Sequence, residues 1–94
     1  MNRAAKEMCV KYARRMAALY RGEIEGDDRK IERAASVAFH EALRSYGNFQ
    51  GMDTIPGAQE YFETVFINLF TFGAYDPDGS YRRRFLDSLP PWLQ

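Results

Sequence analysis

The chain has 94 residues, enough for one domain with its own core and too few for two. Apolar residues at 46% and charged residues at 28% lie in the globular range and exclude a disordered or low-complexity chain. Thirteen Lys/Arg against thirteen Asp/Glu leave a formal net charge of zero, which argues against a generic nucleic-acid or membrane binder.

The zero hides a division. Residues 1–47 carry ten Lys/Arg against seven Asp/Glu, whereas residues 48–94 carry three against six. No Lys or Arg stands between Arg44 and Arg82, a stretch that holds nine of the fourteen aromatic residues. Such a layout suits a domain that buries one half on the other, or one that offers two unlike surfaces. The single cysteine, Cys9, cannot form an internal disulfide, and the first residues lack the apolar run and cleavage site of a secretion signal. No apolar run approaches the roughly 18 residues of a membrane span. The expectation is a soluble, cytoplasmic protein with no membrane partner.

The first element is a helix over residues 3–21. Ala5, Met8, Cys9, Tyr12, Ala13, Met16, Leu19 and Tyr20 recur at spacings of three and four and define its apolar face. Its other face holds Glu7, Lys11, Arg14, Arg15 and Arg21, with Glu7 and Lys11 in the favourable i,i+4 order. Gly22 and Gly26 bracket a short acidic turn, and Asp27 or Asp28 can cap the next helix. That turn length predicts an antiparallel pair.

The second helix is predicted over residues 28–46, with Ile31, Ala35, Ala38, Phe39, Ala42 and Tyr46 inward and Gly47 as C-cap. Residues 48–57 contain Gly51, Asp53, Pro56 and Gly57 without a sustained period and read as a loop. From 58 to 72 the chain is apolar almost all round, apart from a strip of Glu60, Thr64, Asn68 and Thr71 at helical spacing. This predicts a central third helix, with a strand as the less favoured alternative. Gly73 stops it. The turn Asp76-Pro77-Asp78-Gly79-Ser80 starts a short last helix carrying Tyr81, Phe85 and Leu89, which Pro90-Pro91 ends, and Trp92 folds back. The fold class is therefore all-α: a compact four-helix domain with a central aromatic third helix and a short C-terminal helix.

No glycine-rich phosphate loop, nucleophile elbow or histidine pair for zinc occurs. Cys9 on an apolar helix face has neither a base nor a lowered pKa to make it a nucleophile. Asp76-x-Asp78-x-Ser80 begins like a calcium loop, but Tyr81 stands where glycine is needed. No cofactor, no metal and no enzymatic activity are expected. His40, the only histidine, falls on the stripe Arg29, Arg33, Ser36, His40 and Arg44, which reads first as solvated surface and second as an anion contact. Lys11, Arg14 and Arg15 near Tyr12, and Arg82, Arg83 and Arg84 between Tyr81 and Phe85, interleave cations with rings as nucleic-acid binders do. The zero total charge weighs against that use.

Tyrosine, tryptophan and arginine anchor protein interfaces more often than other residues. Phe49, Tyr61, Tyr75, Tyr81, Arg83 and Trp92 are accordingly the expected partner-binding residues. The leading expectation is a non-enzymatic interaction protein, a small inhibitor or regulator of the kind phages and mobile elements carry, that occludes a protein partner and forms a homodimer. The alternatives are a nucleic-acid-linked regulator using Lys11, Arg14, Arg15 and Arg82, Arg83 and Arg84, and a binder of a small anion using Arg33, His40 and Arg44.

Overall fold

The structure is a computed structural model and describes residues 1–20 and 28–71. Among these residues there are three α-helices, two 3-10 turns and no strand. The expected all-α class holds. The expected acidic turn before the second helix and the expected last helix lie outside the described residues, as do Tyr75, Tyr81, Arg82, Arg83, Arg84 and Trp92.

Helix α1 spans Arg3–Tyr20. Its start is fixed by Asn2, whose side-chain oxygen accepts a 2.8 Å hydrogen bond from the Ala5 N–H, one of the amides the first turn leaves without a carbonyl. Ala5, Cys9, Tyr12, Ala13 and Met16 are buried, as their spacing predicts. Leu19 departs from the prediction. It is 61% exposed, although Tyr20 beside it packs on Phe66.

Helix α2 spans Asp28–Ser45 and buries Ala34, Ala35, Ala38, Phe39 and Ala42. Four of these five are alanines, so neighbouring elements can approach its backbone closely while Phe39 supplies the bulk. Gly47 is not the left-handed C-cap the sequence suggested. Tyr46 turns extended (φ −122°, ψ 109°) and Gly47 starts a 3-10 turn instead, Gly47–Phe49. A second turn, Met52–Thr54, follows Gly51, whose φ of 87° is a conformation L side chains rarely adopt. The Thr54 hydroxyl closes this turn by donating to the Gly51 carbonyl at 2.6 Å. The expected loop is thus two tight turns, and it sends Phe49 and Met52 into the core.

Helix α3 spans Ala58–Thr71, with Ala58, Tyr61, Phe62, Val65 and Phe66 buried. It packs more extensively on α1 and on α2 than those two pack on each other, which makes it the central element. Two residues of its polar strip, Thr64 and Asn68, bond within the helix. The Thr64 hydroxyl donates to Glu60 O at 2.9 Å, and Asn68 Nδ2 donates to Thr64 O at 2.8 Å. Polar side chains that bond back to the preceding turn can sit half-buried beside Phe62 and Phe66 without an unmet donor.

The aromatic residues meet around Phe49. Its ring lies 5.1 Å from Tyr12 of α1, 5.6 Å from Phe39 of α2 and 5.7 Å from Phe62 of α3. Phe39 and Phe62 also meet edge to face at 5.3 Å. Such pairs add roughly 0.5–1.5 kcal/mol each beyond area burial. One ring from a turn therefore ties the three helices together.

Candidate protein-binding face on the first helix

The outward surface of α1 is built by simple arithmetic of charge and period. Between Arg3 and Tyr20 there are five cations, Arg3, Lys6, Lys11, Arg14 and Arg15, and one acid, Glu7. The i,i+4 order of Glu7 and Lys11 suggested an ion pair between them. The structure pairs Glu7 with Arg3 instead, Nε to Oε1 at 3.0 Å with both side chains well exposed. Lys11 is left to turn elsewhere, and its Nζ lies 5.4 Å above the Tyr12 ring.

Arg15, one turn further on, lies over the same ring. Its guanidinium carbon is 5.3 Å from the Tyr12 centroid and 5.3 Å from the Tyr46 centroid. The two tyrosines contact each other at 4.8 Å, tilted by 33°. Tyr12 is buried and Tyr46, which follows the end of α2, is half-buried, so the rings form a supported floor under two exposed cations. Ring faces attract cations through their quadrupole, by about 0.5–1 kcal/mol at exposed sites. Lys11, Arg15 and Leu19 follow one another at i, i+4 and i+8, and all three are exposed. Arg14 is exposed too, but no ring among the described residues holds it.

The residues expected to bind a partner fare differently. Phe49 is 0% and Tyr61 3% exposed, so neither presents a surface, and the assignment of both to an interface is corrected. The reason is the turn at Gly47–Phe49, which points Phe49 inward, and the register of α3, which sets Tyr61 one turn before Val65 on the buried side. Burial pushes the Tyr61 hydroxyl up from its ordinary 10.0, and the charge of a neighbouring Cys9 thiolate would push it further. Cys9 is fully buried, its Sγ 3.8 Å from the Ala58 carbonyl, and burial raises its thiol from 9.0 to about 11. A thiol held protonated and covered is a packing residue.

Arg33, His40 and Arg44 are exposed on α2. Arg44 Nη1 lies 3.2 Å from Glu41 Oε1, and His40 Nδ1 is 2.9 Å from Ser36 O, so Nδ1 carries a proton and donates. Arg44 and His40 are thus engaged by their own helix, and among the described residues no contact links Arg33, His40 and Arg44 to one another.

No family model, no curated protein and no solved structure matches this chain. The face is therefore read from its own chemistry. Among the described residues no three His, Cys, Asp or Glu side chains gather in a way that could hold a metal ion. Among the same residues no helix is long and apolar enough to cross a membrane. What the sequence reading missed was Tyr46 as the floor beneath Arg15. Spacing marks it as an inward residue of α2, but nothing in the sequence brings the end of α2 beside the middle of α1.

Proposed function

We propose that this protein is a non-enzymatic protein-binding module, a small inhibitor or regulator that covers an acidic surface of a protein partner with the outward face of α1. The observation that carries this reading is the stripe Lys11, Arg15 and Leu19. Two cations already supported by rings stand in line with an apolar side chain that is 61% exposed. Arginine and tyrosine anchor protein interfaces because they combine large contact area with directed hydrogen bonds, and an adjoining aliphatic group adds dry contact. A polyanion is a poorer fit, since the whole chain has no net charge to draw it in.

The test is a tagged pull-down from the native host, read by mass spectrometry, with wild type beside a variant carrying Lys11→Glu, Arg14→Glu and Arg15→Glu. The expected result is one stoichiometric protein partner that the triple variant fails to retain. Equal capture by both would remove α1 from the interface. Recovery of nuclease-sensitive nucleic acid in place of protein, lost in the variant, would replace this reading with nucleic-acid recognition by the same cations.

A further inference from the structure

We infer that Lys11, Arg15 and Tyr46 form a preformed receptor for a side-chain carboxylate, so that an Asp or Glu of the partner is seated at this point of α1; the inference rests on the protein-binding reading. The first ground is geometric. A guanidinium carries its N–H donors at its edge, in the plane of the group. The Arg15 guanidinium carbon lies 5.3 Å from both ring centroids and the side chain is still exposed, which leaves N–H donors open to an acceptor. A carboxylate approaching in that plane accepts two parallel hydrogen bonds, the arrangement that gives charge-assisted pairs their strength.

The second ground is electrostatic. Lys11 and Arg15 are like charges at i,i+4, and both centre over the Tyr12 ring, at 5.4 Å and 5.3 Å. Such a pair opposes the helix unless an anion lies between or beside the charges. The one acid within α1, Glu7, is taken by Arg3. An incoming carboxylate relieves that repulsion as it binds. The third ground is entropic. Long side chains usually lose rotamer freedom when they bind, and here the rings have already restricted Arg15 before the partner arrives.

Tyr46 is the positioning residue. It acts on the ligand only through Arg15, whose guanidinium it holds at 5.3 Å. Arg14 supplies the internal contrast, an exposed arginine on the same helix with no ring among the described residues beneath it.

The experiment follows the Nε–Hε resonances of Arg14 and Arg15 by NMR in the full chain, titrated with a blocked pentaglutamate peptide. The Arg15 signal is expected to move along a saturating curve while Arg14 moves far less. Arg15→Lys keeps the charge and loses the fork, and is expected to weaken the peptide by at least about threefold, as a bidentate site requires. Tyr46→Leu, checked for fold by its backbone amide spectrum, is expected to weaken it similarly; this separates positioning from simple charge, which Tyr46 lacks. Equal shifts at Arg14 and Arg15, no saturation, or an unchanged affinity in Arg15→Lys would overturn the receptor. Saturation by inorganic phosphate at lower concentration than by the peptide would overturn the carboxylate assignment. If the receptor fails while the triple glutamate variant still loses its protein partner, the α1 face stands and only this account of it falls.

Discussion

Phe49 shows how a single side chain can be misjudged by its neighbourhood in sequence. It lies among Gly47, Asn48, Gln50 and Gly51, a polar and flexible setting that suggests a surface aromatic. The two 3-10 turns make that stretch compact enough to carry the ring inward, where it touches one aromatic from each helix. Truncating a fully buried phenylalanine costs about 3–5 kcal/mol through lost burial and the cavity that remains. Phe49→Ala is therefore expected to lower the denaturant midpoint more than any single charge reversal on α1, and a loss under about 1 kcal/mol would contradict its place at the junction. Cys9 makes a second residue-scale case. Its folded pKa, about 11, lies above the ordinary 9.0, so the fold favours the protonated thiol. That contribution is complete below pH 9 and is lost as pH rises toward 11, with Tyr61 acting in the same direction above its ordinary 10.0. Stability measured by urea titration should thus be insensitive to these groups at neutral pH and fall between pH 9 and about 11. Cys9→Ala should flatten part of that decline. A decline of the same size in Cys9→Ala would assign it to other groups.

At the scale of elements, the helices were legible because each buries one stripe of residues at helical spacing. The apolar sets predicted for α1 and α2 contain nearly all the residues that the structure buries there, and the polar strip of α3 decided correctly for helix over strand. Periodicity fails where no period exists. It could not place Phe49, it could not choose Arg3 over Lys11 as the partner of Glu7, and it took Gly47 for a cap because glycine after an apolar stripe usually is one. Leu19 misleads in a related way: spacing assigns it to the core face, but it stands on the outer stripe one turn beyond Arg15. The capping of α1 by Asn2 also escaped the sequence reading, although the residue type is among those favoured there. Asn2→Ala is expected to destabilise the protein by about 1 kcal/mol and to fray the first turn, visible as faster amide exchange at Ala5 and Lys6. Unchanged exchange at Ala5 would show that the side-chain bond contributes nothing.

For the whole molecule, charge and core are divided among the elements. α1 and α2 hold nine cations between them, five on α1 and four on α2, whereas residues 46–71 hold Asp53, Glu60 and Glu63 with no Lys or Arg. The sequence revealed this asymmetry at once, but it could not tell which aromatics are interior. The structure shows that Phe49 and Tyr61 are consumed by the core, whereas Tyr75, Tyr81, Arg83 and Trp92 lie outside the described residues.

The position of Phe49 also orders the events by which the chain closes. Its contacts with Phe39 and Phe62 join neighbouring segments, whereas every contact between α1 and α3 spans a long loop, such as the Cys9 to Ala58 approach across 49 positions. The entropy of closing a loop rises with its length, so α2, the two turns and α3 are expected to form the earlier unit, with α1 docking onto it last. Native-state hydrogen exchange should find α1 opening at lower free energy than α2 and α3, and equal protection of all three would refute this order. The helix proposed to meet a partner is then the one most easily released from the core, and a partner that grips it tightens the part of the molecule that most needs it.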